Sequence, residues 1–519
     1  MPYLEELLKK AKGGVDAPKI SFLITEEEGR VEAAVPEEKI LIDSYGEVRI
    51  FKHKGAPLLL YEVPSPRYRG EEKALVDAIL DIAARTISVD EALFQTKSEK
   101  RAKYFHDVRQ IIEETQELKI PPASKDFYAN AVVREMVGFG LIDSLIADDQ
   151  LEEVMVIGVN QSVYVFHRRY EMMKTNVVFY NNKDIVDLID KIARNVGRRI
   201  DVASPLLDAR LPDGTRVNAT IQPISLNGST LTLRKFKADP FSIIDLINNN
   251  TLNYEVASFL WTMVEGMGAL PANIIVAGAT ASGKTTLLNV LTSFMPNFER
   301  LVSIEDTAEL KLPFSHWIRL ETRPPGLEGI GEITMDDLLK NALRMRPDRM
   351  VVGEIRGDEG YTLFSAMNTG HNGSMGTLHS NTARETLVRL SNPPMNVPLI
   401  MLHALNFIIM MQRVYDRRKG FIRRVSEIAE IIGSDEAKMP GMNIVYKWNP
   451  AADTIEPTGE PTLFLKNIEN FTGLRREAIV EEMRAREQIL RDLNQQGIRE
   501  LNSVCKVTQD YAQRKQGKI

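Results

Sequence analysis

The amino-acid sequence predicts an α/β protein: a phosphate-binding core on a mostly parallel sheet, preceded by an α+β domain. Three observations carry this. From Phe241 onward, short and almost wholly apolar strands alternate with helical runs, the pattern of a parallel sheet covered on both faces. One of these strands, 273–278, leads into Gly278-Ala279-Thr280-Ala281-Ser282-Gly283-Lys284-Thr285, which opens a helical run, TTLLNVLTSF, over Thr285, Thr286 and the residues that follow. Upstream, Glu152 to Phe236 reads as short strands around a single helix at 184–196, with hairpin signals at Asp213-Gly214 and Asn227-Gly228.

Composition bounds the answer. At roughly 100–200 residues per domain, 519 residues make two or three domains. With 44% hydrophobic and 26% charged residues, the chain has the make-up of a soluble protein able to bury a core. A net charge of −6 excludes a uniformly basic nucleic-acid coat, though not a local basic face. The single cysteine, Cys505, excludes an internal disulfide and any cysteine-rich zinc cluster, and none of the seven histidines stands in an HExxH or HxH pattern. The start, MPYLEELLKKAKGG, lacks the apolar core of a secretory signal. Leu399 to Met411 is too short to cross a bilayer, which needs about 20 apolar residues, so it reads as buried core. The expectation is a soluble intracellular protein.

In order along the chain, residues 1–123 form an N-terminal region of short strands and then helices. Alternation in Lys39–Asp43 and Glu47–Phe51 marks the strands. Leu75, Ile79, Ile82 and Ala83 share one helical face, and Val108, Ile111, Ile112 and Thr115 another. Pro121-Pro122 breaks the helices and Asp126 starts the next. The α+β domain spans 124–236, with Lys235–Pro240 as the linker. The core and a helical tail occupy 237–519. Its strands are expected at 273–278, 301–306, 349–354, 373–380 and 406–412, with helices at 335–345 and 360–368. A hairpin is expected to turn at Lys419-Gly420. The charged tail, including Glu477, Glu481, Glu482, Arg484 and Arg486, reads as a solvated helical face.

The octet at 278–285 is a full GxxxxGK[ST] match in its required strand–helix setting. Its backbone N–H groups face phosphate oxygens, Lys284 reaches the β/γ-phosphates, and the Thr285 hydroxyl holds Mg²⁺. Lys284 is expected to be exposed. At the end of the following strand, Glu305 and Asp306 could activate a water and organise the metal's outer shell; the alternative is that Asp306 or Thr307 caps a turn. The strand at 349–354 ends in Glu354, a candidate metal support, or else a surface glutamate paired with Arg356. His379, at another strand end, is placed to sense a γ-phosphate by hydrogen bonding. The basic run Arg417 to Arg424 reads as a solvated hairpin tip, with docking to an acidic partner or membrane as the alternative.

Together, Gly278–Thr285, Ile304–Glu309, Val351–Arg356 and Gly370–Asn381 resemble, in order, the Walker A, aspartate box, Walker B and histidine box of the type II/type IV secretion ATPase superfamily. IEDTAELKLP and VGEIRGDEG look most like its archaeal members, which drive archaella or type IV pili; the lack of a four-cysteine zinc element argues against the bacterial extension branch. The resemblance implies a RecA-like core, hydrolysis of ATP with Mg²⁺, a homohexamer, and a polytopic membrane platform protein as partner at the cytoplasmic face of the membrane. No nucleic acid or metal cluster is expected. It also implies that arginines of the upstream domain, Arg210 and Arg216 beside the Asp213-Gly214 turn or Arg234 beside the linker, reach the nucleotide. Glu305 is the first choice of general base and Glu354 of metal support, roles that could be exchanged. The rival reading is a nucleic-acid translocase or helicase on the same core.

Overall fold

Alternating charged and apolar residues build the first strands. β1 (Lys39–Tyr45) and β2 (Val48–His53) pair antiparallel, and β3 (Leu59–Glu62) pairs with β2. The structure, a computed structural model, describes residues 39–64, 71–87, 97–118, 120–235, 240–325, 330–417, 420–433 and 438–515. It divides into two compact units, Met1–Lys237 and Ala238–Ile519. Of the expected linker, residues 236–239 lie outside the described residues.

In the first unit, α1 (Glu71–Thr86), α2 (Lys97–Glu114) and α3 (Lys125–Met136) bury the faces that their periodicity marks. Leu75, Ile79 and Ala83 meet Val108, Ile111, Ile112 and Val132 in one cluster. The short helix α4 (Asp143–Ala147) leads into β4 (Leu151–Val156), β5 (Ser162–His167) and β6 (Glu171–Val178). The helix α5 (Asn182–Asn195) then lays Ile185, Ile189 and Ile192 on the sheet. β7 (Leu206–Arg210), β8 (Arg216–Thr220) and β9 (Thr230–Arg234) are joined through the two glycine turns. The nine strands run β1-β2-β3-β6-β5-β4-β9-β8-β7 in one sheet, antiparallel except for β3 on β6. Residues 39–62 therefore extend the sheet made by 151–234, because β3 takes the edge that β6 leaves free.

The second unit opens with α6 (Ile243–Asn248), started by a Ser242–Asp245 capping box, and α7 (Tyr254–Glu265), capped by Asn253. Then follow β10 (Ile274–Gly278), α8 (Lys284–Thr292), β11 (Leu301–Glu305), β12 (Trp317–Glu321), α9 (Met335–Ala342), β13 (Arg349–Ile355) and α10 (Glu359–Asn368). After β14 (Met375–Leu378) and α11 (Ala383–Ser391) come β15 (Phe407–Asp416), β16 (Gly420–Ile432), β17 (Gly441–Asn449) and β18 (Thr454–Pro457). The helices α12 (Leu463–Thr472), α13 (Arg476–Gln495) and α14 (Leu501–Lys515) close the described chain. The sheet order is β12-β11-β13-β14-β10-β15-β16-β17-β18; it is parallel as far as β15 and antiparallel beyond. Ile274 and Val276 face one core, with α7 and α8, while Ile275 and Ala277 face another, with α9 and α10. Burial on both faces is why these strands lack alternation.

The structure corrects several expectations. β12, β17, β18 and α11 are additional elements; β12 is a half-exposed edge strand, so charges interrupt its apolar pattern. In the apolar stretch 399–411, Phe407–Met411 are buried, but Ile400 is 54% exposed. The tail is not simply a solvated face. Arg486 and Glu482 are buried, and Arg486 pairs with both Glu482 and Glu265 of α7 under the ring of Trp261. Nor is the whole basic run solvated. Arg424 is buried and holds Asp453 through two bonds of 2.7 and 2.9 Å.

Candidate functional site

Strand ends assemble the site, since β13, β14 and β10 lie side by side and finish at the same edge of the parallel sheet. In the loop after β10, Gly278 has no room for a side chain, because a Cβ there would collide with the Met411 carbonyl oxygen of β15. Gly283 sits at φ 96°, in the left-handed region, and hands the chain to α8. The loop residues Ala279, Thr280 and Ala281 are exposed, whereas Ser282 is buried. Thr285 and Thr286 follow Lys284 in the first turn of α8, both half-buried.

Lys284 is buried, contrary to expectation, at 7% exposure. Its ammonium folds back into the loop and donates to the Ala279 carbonyl at 3.0 Å. Burial lowers its pKa, partly offset by the charge of Glu354. Beside it, His379 follows β14, with Nδ1 3.2 Å from Lys284 Nζ and Nε2 2.9 Å from Glu354 Oε1. Burial, then the Lys284 charge, holds the imidazole below its usual pKa. Glu354 in turn accepts Arg356 at 2.6 Å, and Arg356 donates to Asp306 at 3.2 Å. A continuous line of polar contacts thus joins Lys284, His379, Glu354, Arg356 and Asp306. A cavity of about 390 Å³ opens beside it, lined in part by Asp306, Glu354, Arg356, Arg323 and Thr334.

The two glutamates occupy different environments. Glu305 is 1% exposed and lies against the α-carbon of Gly353, where an added Cβ would come within 3.1 Å of its Cγ. Its Oε2 accepts the backbone N–H groups of Glu309 and Leu310 at 2.7 and 2.9 Å. Its Oε1 is buried with no hydrogen-bond partner among the described residues. Burial outweighs the two backbone bonds and raises the carboxyl to about 7. Burial also pushes Glu354 upward, but Arg356, His379 and Lys284 outweigh it and keep the carboxyl below its ordinary value.

The upstream arginines form a row of their own. In register, Arg210 faces Arg216, Arg216 faces Arg234, and Arg234 faces Glu153, so all four project from one face of the first sheet. At one end of the row Arg234 Nε lies 3.8 Å from Glu153.

Sequence reading missed Arg423. From β16 its Nε donates to the Ala281 carbonyl at 3.0 Å, a contact 142 positions apart for which no local spacing exists. Arg356 was legible only as a partner of Glu354; its second contact, to Asp306, needs β11 and β13 to be neighbours.

The family model for the type II/IV secretion system protein family matches residues 135–452. The chain is 34% identical over 550 residues to the uncharacterized protein MJ0781 of Methanocaldococcus jannaschii, covering 73% of this chain and 75% of that protein. It is 28% identical over 273 residues to the type IV secretion system protein VirB11 of Bartonella henselae, covering 47% and 76% of the two chains. Among solved structures, the VirB11 ATPase from the Brucella suis type IV secretion system, in complex with sulphate, matches at 25% identity and a TM-score of 0.28, over 55% of this chain and 90% of that one. With a phosphate-binding loop and strand-end carboxylates in place, the chain belongs to the type II/IV secretion system protein family, as one of its ATP-hydrolysing enzymes.

Proposed function

We propose that the chain is a Mg²⁺-dependent motor ATPase that works as a homohexamer. It powers assembly or movement of an archaellum- or type IV pilus-like filament, or of a secretion machine, through a polytopic membrane platform protein at the cytoplasmic face of the membrane. Among the described residues no helix is long and apolar enough to cross a membrane, so attachment is peripheral in this reading. The observation that carries the catalytic part is the alignment of Lys284, His379 and Glu354 across three neighbouring strand ends.

The paired glutamates divide the work. Glu305, pushed to about 7 with one oxygen unpartnered, suits proton acceptance near neutral pH. Glu354, kept ionised by its cationic neighbours, suits a charge-holding role. Hard oxygen donors fit Mg²⁺, which is usually held by one or two carboxylates together with substrate phosphates. Thr285, Glu354 and Asp306 supply that donor set here, and the ion, when bound, supplies charge neutralisation on the phosphates. The Lys284 ammonium moves from the Ala279 carbonyl onto a phosphate oxygen when the loop fills. His379 reports that exchange, because it touches both Lys284 and Glu354. The row of Arg210, Arg216 and Arg234 supplies further positive charge for the transferring phosphoryl group.

ATP turnover with Mg²⁺, measured with anionic vesicles and separately with single-stranded DNA, tests the reading. Stimulation by vesicles alone is expected. Strong stimulation by DNA would instead favour a nucleic-acid translocase on the same core.

A further inference from the structure

We infer that Arg423 is a positioning residue for the phosphate loop, holding the Ala281–Ser282 peptide with its carbonyl outward and its N–H inward. The inference rests on the nucleotide-binding reading above and concerns the same loop. Ala281 adopts φ 59°, a left-handed conformation that a residue with a Cβ takes only when its surroundings hold it. Its carbonyl accepts Arg423 Nε at 3.0 Å. In a planar trans peptide the C=O and the next N–H point in opposite directions. Ser282 N–H accordingly points the other way, to the Ala279 carbonyl at 3.3 Å, the same oxygen that takes the Lys284 ammonium. The outward contact of Arg423 and the inward closure of the loop are thus two ends of one peptide plane.

The hairpin places Arg423 for this. It stands opposite Arg413 in the β15–β16 ladder, and Arg413 turns its own guanidinium over the Phe421 ring at 3.8 Å. Arg423 lies instead along the loop, where a Cβ on Gly283 would come within 3.3 Å of its Cδ and of Met411 Cε. The peptide plane that Arg423 holds on one side therefore carries on its other side the bond that keeps the loop curled, so the loop meets a nucleotide's phosphates already closed, with a guanidinium charge at its rim.

Arg423→Met keeps the methylenes over Gly283 and removes the donor. Calorimetric titration of the full chain with Mg-ADP should then show about 10-fold weaker binding, the scale of one hydrogen bond from a charged group. The melting temperature of the nucleotide-free protein should be unchanged. Glycine takes a positive φ without strain, so in an Ala281→Gly background the same Arg423→Met change should cost less than about 3-fold. Wild-type affinity in Arg423→Met, an equal loss in both backgrounds, or a lowered melting temperature without nucleotide each overturns the inference. Lys284→Ala, titrated alongside, separates the two readings. Unchanged binding there would sink nucleotide binding at this loop altogether. Weakened binding there beside an unaltered Arg423→Met would overturn only the role of Arg423.

Discussion

The Nζ of Lys284 stands 3.2 Å from Nδ1 of His379, although the two residues are 95 positions apart in the chain. The contact exists because β10 and β14 are adjacent parallel strands, so their ends open on one edge. Lys284→Ala should abolish ATP turnover, losing at least about 10²-fold, the scale of removing one preorganised electrostatic contact to the reacting group. The melting temperature should barely move: the variant loses one hydrogen bond to Ala279 but also relieves a buried charge. Unchanged turnover would remove the ATPase assignment.

Glu305 makes stability depend on pH with a definite sign. Its carboxyl is raised from 4.5 to about 7, so between those values the native state keeps a proton that the unfolded chain has released. Stability therefore falls as pH rises through this window, by on the order of 3 kcal/mol. Glu305→Gln should lack that fall. Denaturant unfolding of both proteins at pH 5 and pH 8 checks it, with the variant gaining on the wild type at the higher pH.

The same residue sets a limb of the activity profile. As a general base Glu305 must be ionised, so turnover should rise as pH passes through about 7. Glu305→Gln should bind ATP yet hydrolyse it at least about 10²-fold more slowly. Normal turnover in that variant, with none in Glu354→Gln, would exchange the roles of the two glutamates.

Arg216→Ala should cut turnover severely without loss of thermal stability. Arg216 stands near the end of its strand, facing Arg210 on one side and Arg234 on the other, and its half-buried side chain contributes little to the apolar core. A fall in melting temperature with turnover intact would mean that the arginine row is structural.

Arg486→Ala should destabilise the chain by about 3 kcal/mol, because the buried Glu265 loses its pairing with Arg486, while Glu482 keeps Lys515 and Tyr511. Arg486→Met, which keeps volume over Trp261, should leave most of that penalty, since the buried pairing with Glu265 is lost in either variant. Chemical denaturation of the three proteins measures both. A loss below about 1 kcal/mol in Arg486→Ala, the scale of an exposed pair, would restore the solvated-face reading.

What the sequence determined by itself was local. Near-continuous apolar runs such as 273–278, alternating with helical segments, mark a parallel sheet covered on both faces, and the spacing from Gly278 to Thr285 specifies a phosphate loop. The Asp213-Gly214 turn likewise marks the β7–β8 hairpin. Tertiary structure alone decided the rest. Whether Glu305 or Glu354 faces Lys284, whether Arg486 meets water or Glu265, and whether Arg423 ends a hairpin or braces Ala281 all depend on which distant strands and helices become neighbours. Charged side chains give no periodic signal for that choice. Their burial and pKa follow from partners the sheet order supplies, and the sheet order is fixed by packing summed over the whole unit.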